Sequence, residues 1–289
     1  MLPGARAGRL LSAMILLGGA LTLASASARA STAPSYYVAL GDSLTEGYQP
    51  TNYSLHQSET LHGFTDRVVS DLAGHQALTL ENYGCGSSTT SLMINGDDCA
   101  SYNQPLHSAI LPGQSILRSA LNFLARHRGH VALITLTLGG NDLDDGVTPA
   151  ETTLNIEHIC AALRHAVGPN TPIIGLGYDD PGLAQWLAGS TGARRAASSV
   201  TYVARILNPL LVHAYAPSRV VFLDVAQVFD TFLPFSTTTD LAPYGTVPVA
   251  VAKLCTYTWM CARGDVHPNY RGYATIARAV AAAYLRLTK

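Results

Sequence analysis

Four short stretches of this chain carry residues suited to nucleophilic chemistry. They are GDSLTEGY at 41–48, NYGCGSSTT at 82–90, LGGNDLDDG at 138–146 and RGDVHPNYRGY at 263–273. A serine on a tight strand-to-helix turn projects its hydroxyl above a sheet, where a helix N-terminus favours negative charge. Ser43 has that setting, although Asp42 or Ser43 could equally be a plain helix cap. Gly47 falls four places after Ser43, so this is not the G-x-S-x-G elbow of the α/β-hydrolases. Asn141 follows two glycines that let the backbone turn sharply, and its amide N–H could stabilise an oxyanion. The stretch 82–90 exposes backbone N–H groups at a strand end. His267 comes two places after Asp265 and just before Pro268, which favours extended backbone at the histidine and a helix after it. Taken singly, each stretch is an ordinary turn. Together they supply a nucleophile, oxyanion donors and a general base.

Something must bring these stretches together. Strand-like runs at 36–40, 77–84, 131–138, 172–178 and 219–225 alternate with helical patterns at 63–74, 114–129, 149–168, roughly 183–216, and 269–287. That alternation predicts an α/β fold with a parallel sheet covered on both faces. In such sheets ligands sit outside the carboxyl ends of the strands, which is where the reactive stretches fall. The irregular stretches 85–112 and 226–265 read as rim loops. Within the second, FDTFLPFS (229–236) and YTWM (257–260) are candidates either for an apolar acyl pocket or for buried packing.

Residues 1–30 read as a signal peptide, with Arg6 and Arg9, an apolar run, and Ala28-Arg29-Ala30 at the cleavage site. The apolar run is shorter than the roughly 20 residues a spanning helix needs. The expected mature chain, 31–289, is a single catalytic domain, exported and monomeric, with no membrane span. The leader holds three arginines and no acid, so 18 basic residues against 19 acidic become 15 against 19, a net charge of −4. This gives no footprint for nucleic acid or an anionic membrane surface. No HExxH motif occurs, and His158 and His165 lack a nearby carboxylate set, so neither a metal nor a cofactor is expected. Five cysteines in an exported chain suggest two disulfides and one spare. The local pairings Cys85–Cys99 and Cys255–Cys261 each close a short loop and leave Cys160 as a small buried hydrophobe.

With these residues in view, the sequence resembles the SGNH (GDSL) hydrolases of the secreted bacterial branch. GDSL at 41–44, NYGCGSSTT, GGND at 139–142 and DVHPN at 265–269 follow the family's blocks in order. The resemblance implies a three-layer α/β/α, flavodoxin-like fold with a five-stranded parallel sheet, and ester hydrolysis through an acyl-enzyme. It implies that Ser43 is the nucleophile and one oxyanion donor, Asn141 a side-chain donor and His267 the base. Two positions depart from the pattern. Ser87 stands where the family has glycine; its N–H can still donate, but a left-handed backbone would strain it and pass the role to Gly86. The acid normally three places before the histidine would fall at Gly264, whereas this chain has Asp265. Either Asp265 or a backbone carbonyl such as that of Gly264 would orient His267. The expected enzyme is an esterase or lipase acting on a small-molecule, lipid or acylated-carbohydrate ester. The alternatives are a carbohydrate O-acetyl esterase, an acyltransferase on the same site, or a non-catalytic binding protein.

Overall fold

Alternation along the strands decides how this chain folds. A computed structural model describes residues 1, 35–50, 63–96, 99 and 109–289. The signal peptide expected at 1–30 lies outside them apart from Met1. The chain divides into Met1–Thr32 and Ala33–Lys289, and the second unit carries the fold. Its sheet contains β1 (Ser35–Gly41), β2 (Leu78–Gly84), β3 (Val131–Thr137), β4 (Ile173–Leu176) and β5 (Val221–Leu223). The strand order is β2-β1-β3-β4-β5 and every pair is parallel. Val38 lies opposite both Glu81 and Ile134, which fixes the register of β2, β1 and β3.

Successive residues of a strand face opposite sides of the sheet. Tyr37 and Ala39 join one core with Phe64, Val68, Leu72, Tyr273, Ile276 and Val280. Val38 and Leu40 join the other with Ala120, Leu124, Ile159, Leu163 and Leu211. One face is therefore covered by helices Phe64–Leu72 and Tyr270–Leu287, the other by Ile116–Arg126, Pro149–Val167 and Asn208–Tyr215. Each large aliphatic side chain so buried stabilises the fold by roughly 1.5–3 kcal/mol. This is the expected three-layer α/β/α sandwich in the flavodoxin-like order. The order reverses at β1 and β3, and the crevice there opens at their carboxyl ends.

Three expectations need correction. The segment 183–216 is not one helix: a 3-10 helix, Pro181–Ala188, gives way at Gly189 (φ 83°) to the helix Ser190–Tyr202. A π-helical turn, Val203–Leu207, then joins that helix to Asn208–Tyr215. β5 is shorter than 219–225 because Arg219 takes a left-handed φ of 52° and delays the strand. The stretch 226–265 is more regular than a loop, holding an antiparallel hairpin of β6 (Thr238–Leu241) and β7 (Gly245–Pro248) and the helix Val249–Tyr257. Thr238, Thr239 and Asp240 are all exposed, so β6 has none of the apolar alternation that marks a strand.

The cysteines pair as Cys85–Cys99 and Cys255–Cys261, and Cys160 is free and buried. Burial pushes the Cys160 thiol up to about 12, which leaves it inert as a nucleophile. Two disulfides point to an oxidising compartment. Among the described residues, no helix is long and apolar enough to cross a membrane.

Candidate active site

β1 ends at Gly41, and Asp42 caps the four-residue helix Ser43–Glu46. The Asp42 carboxylate accepts hydrogen bonds from the Leu44 N–H (3.0 Å), the Thr137 hydroxyl (2.8 Å) and the Tyr178 hydroxyl (2.5 Å). Thr137 is the last residue of β3 and Tyr178 follows β4, so one buried carboxyl ties three strand ends together. Burial raises its pKa, an effect its hydrogen bonds from Tyr178, Leu44 and Thr137 offset only in part. Ser43 is thereby held at the first position of its helix. Gly140 makes room for this arrangement: a Cβ there would meet the Tyr178 ring at 2.7 Å.

His267 is fixed just as firmly. Asn269 caps the last helix through the N–H groups of Arg271 (2.9 Å) and Gly272 (3.2 Å) and donates to the carbonyls of Thr256 (2.9 Å) and Thr258 (3.1 Å). The Trp259 N–H donates to the His267 carbonyl at 3.0 Å. Gln49 donates to the Pro268 carbonyl (2.9 Å) and accepts from the Trp259 indole (2.9 Å). The Cys255–Cys261 disulfide closes the segment these contacts anchor.

The result is a chain of three side chains. His267 Nε2 lies 2.8 Å from Ser43 Oγ, and His267 Nδ1 lies 2.9 Å from Asp265 Oδ1. The same carboxylate oxygen accepts the His267 backbone N–H at 2.9 Å. The acid at the unusual position is thus the partner of the imidazole. This pairing fits the tautomer with the proton on Nδ1 and a lone pair on Nε2 facing the serine hydroxyl. Burial pushes the Asp265 pKa up, but the hydrogen bonds and charge of His267 outweigh it and hold the carboxyl below its ordinary value. The Tyr48 ring packs beside the imidazole, with centroids 4.2 Å apart.

The second stretch forms a turn closed by the Ser88 N–H to the Cys85 carbonyl (3.2 Å), with Gly86 and Ser87 at its centre. Ser87 takes φ 58°, the left-handed conformation a type II turn requires at its third position. This costs a serine on the order of 1 kcal/mol relative to glycine. The strained residue is therefore Ser87, not Gly86. Asn141 donates one amide N–H to the Ser88 carbonyl at 3.0 Å, which orients the amide and leaves its second N–H for a ligand. Asp142, fully buried next to it, accepts from the Thr90 N–H (2.9 Å) and from the Thr90 hydroxyl, fastening the third stretch to the second.

Ser43, Gly86, Ser87, Asn141 and His267 all line one cleft of about 560 Å³, within the usual range for small-molecule sites. Its apolar lining includes Leu143, Tyr202, Val203 and Leu207, the last three from the helix 190–202 and the π-helical turn, together with Leu44, Pro181 and Val266. The segments 229–236 and 257–260, open to either an acyl pocket or buried packing, contribute none of the lining residues among those described. Phe229 is instead buried in the sheet core, 4.9 Å from the Tyr257 ring, so packing claims these aromatics. Sequence reading also missed Tyr178, Asp179 and Asp180, which line the cleft at the end of β4. The rule that located the other stretches, residues just past a strand's carboxyl end, applies equally to them. Among the described residues, no group of three His, Cys, Asp or Glu is arranged to hold a metal ion.

Burial pushes the Asp179 carboxyl up from 3.8 to about 7, with the adjacent Asp180 also raising it and His267 opposing. Tyr273 on the last helix also senses its charge. An acid with a raised folded pKa holds its proton more tightly when folded, so stability falls as pH rises from about 4 to about 7. Between pH 5 and pH 8 this group is expected to remove on the order of 3 kcal/mol. Asp179→Asn should therefore show a flatter dependence of melting temperature on pH than the native protein. Parallel curves for the two proteins would contradict it.

Comparison with known proteins now bears on this geometry. The sequence pattern of the GDSL-like Lipase/Acylhydrolase family matches residues 39–275. No curated protein matches the chain at a significant level. Among solved structures, Est24, a carbohydrate acetylesterase from Sinorhizobium meliloti, is similar at 16% identity and a TM-score of 0.51, covering 88% of this chain and 99% of its own. The M. Smegmatis aryl esterase is similar at 16% identity and a TM-score of 0.50, with 88% and 99% covered. At these identities the likeness is one of fold. The family pattern spans most of the chain and includes every stretch that meets in the cleft, and the chain belongs to the GDSL-like lipase/acylhydrolase family, enzymes that act on ester bonds.

Proposed function

We propose that this protein is an exported serine carboxylic-ester hydrolase that works through an acyl-enzyme on Ser43. The observation that carries the reading is the Ser43–His267–Asp265 chain, with contacts of 2.8 and 2.9 Å. In the first half-reaction Ser43 Oγ attacks the ester carbonyl while His267 Nε2 takes its proton. The negative charge that develops on the carbonyl oxygen is met by the Ser43 N–H, a backbone N–H of the Gly86–Ser87 turn and the free amide N–H of Asn141. Asp265 holds the imidazole in position and stabilises the imidazolium. The tetrahedral species then collapses, and His267 returns the proton to the departing alcohol. In the second half His267 takes a proton from water, the hydroxide attacks the acyl-enzyme, and Ser43 regains its proton as the carboxylic acid leaves. Leu143, Val203 and Leu207 give the acyl chain an apolar wall. Export is supported by the leader-like sequence at 1–30 and by the two disulfides.

A fluorophosphonate probe tests the reading, because only an activated serine displaces its leaving group. One adduct on Ser43, together with hydrolysis of p-nitrophenyl acyl esters, is the expected result. An adduct elsewhere, or none, would sink the mechanism.

A further inference from the structure

The cleft carries carboxyl groups that take no part in the chemical steps. Its lining among the described residues includes Asp42, Asp144, Asp179 and Asp180 but no Lys or Arg. Asp42 is occupied by its three donors. Asp180 caps the 3-10 helix through the Gly182 N–H (3.1 Å) and accepts from the Ser199 hydroxyl (2.5 Å). The Oδ2 atoms of Asp180 and Asp179 both lack a hydrogen-bond partner among the described residues. Asp180 is tied through its other oxygen to Gly182 and Ser199, whereas Asp179, 6% exposed, accepts from no other described residue. A carboxyl left unpartnered in a buried site is costly, by roughly 1–3 kcal/mol or more. Such a group on the wall of a cleft is matched by a donor carried on a ligand.

The reaction assigns that donor to one half of the ester. His267 hands its proton to the departing alcohol, and Asp179 lies close enough to His267 to sense its charge. Leu143, Val203 and Leu207 line the cleft from the helix Gly140–Asp144 and from residues 203–207, elements other than the stretch after β4 that carries Asp179. Asp179 thus falls to the alcohol and those side chains to the acyl chain. We propose that Asp179 is a binding residue for the alcohol half of the substrate, accepting a hydrogen bond from a free hydroxyl, so that esters of polyhydroxylated alcohols such as sugars are preferred. This rests on the ester-hydrolase reading above. A hydroxyl suits the site better than a cation does, because the raised pKa of Asp179 leaves the carboxyl partly protonated near neutral pH. In that form it can both donate to and accept from a hydroxyl, whereas a cation requires the carboxylate.

Matched pairs of esters test the assignment on the purified protein. Glyceryl monoacetate and propyl acetate differ by two hydroxyls; acetylcholine and 3,3-dimethylbutyl acetate differ by a charge. The native protein is expected to favour glyceryl monoacetate over propyl acetate by about tenfold or more in kcat/KM. Asp179→Leu should abolish that preference, and Asp179→Asn, whose amide oxygen still accepts, should keep most of it. Each readout is a ratio on one preparation, so a reduced folded fraction cancels. No preference in the native protein, or one that survives Asp179→Leu, overturns the proposal. A preference for acetylcholine over its neutral counterpart, lost in Asp179→Asn, would put a cation there and overturn it too. Failure to hydrolyse any of the four esters would instead remove the hydrolase reading beneath it.

Discussion

Ser43→Ala is expected to lower hydrolysis of p-nitrophenyl acyl esters by roughly 10⁶-fold in kcat. The side chain sits at the first position of a helix whose cap, Asp42, is held from three strands, so removing one hydroxyl leaves the surrounding cleft intact. The loss should therefore fall on kcat, with the melting temperature shifted little. A residual rate over water, roughly 10³-fold, is expected from the remaining oxyanion donors. Initial rates with p-nitrophenyl acetate and butyrate, alongside a thermal melt, check both parts. Retention of even a hundredth of native turnover would place the nucleophile elsewhere.

Asp265→Asn should cost roughly 10³–10⁴ in kcat, since an asparagine amide can hold the imidazole in the wrong tautomer. The alternative carried by the sequence was a backbone carbonyl, and the two differ sharply in outcome. A carbonyl partner would make Asp265 nearly dispensable, with a loss of a few-fold. With Nδ1 2.9 Å from the carboxylate, the large loss is expected. Asp265→Ala should be as impaired, and neither variant should change the reactivity of the cleft toward non-covalent ligands. Single-turnover kinetics separate an effect on acylation from one on binding.

Much of this arrangement was legible beforehand, for physical reasons. Strand β3 is a β-branched apolar run with a pair of glycines behind it, and the carboxyl-end rule pointed to the stretches holding Ser43 and Asn141. His267, before the last helix, could be read only together with them. Other features depend on contacts between distant residues. Nothing in the sequence near Tyr178 announces that its hydroxyl reaches Asp42, 136 residues away. Phe229 and Tyr257 look as suited to a pocket as to a core, and only tertiary packing decides between them. The hairpin β6–β7 escaped because its first strand is polar and exposed. Ser87 is the instructive middle case: the family resemblance, with glycine expected there, raised the question of left-handed strain, and its φ of 58° locates that strain on the serine.

The position of the acid also has a consequence for assembly. Asp265 and His267 are two residues apart, and one carboxylate oxygen holds both the backbone N–H and the ring of the histidine. This pair can form within a single tight turn, whatever the rest of the chain is doing. The triad then requires one long-range meeting, between Ser43 and His267 across 224 residues, where three scattered residues would require two. Any motion that lifts the segment 263–269 away from Ser43 carries acid and base off together. The enzyme is then either fully competent or fully silent, with no intermediate in which the base faces the serine unsupported.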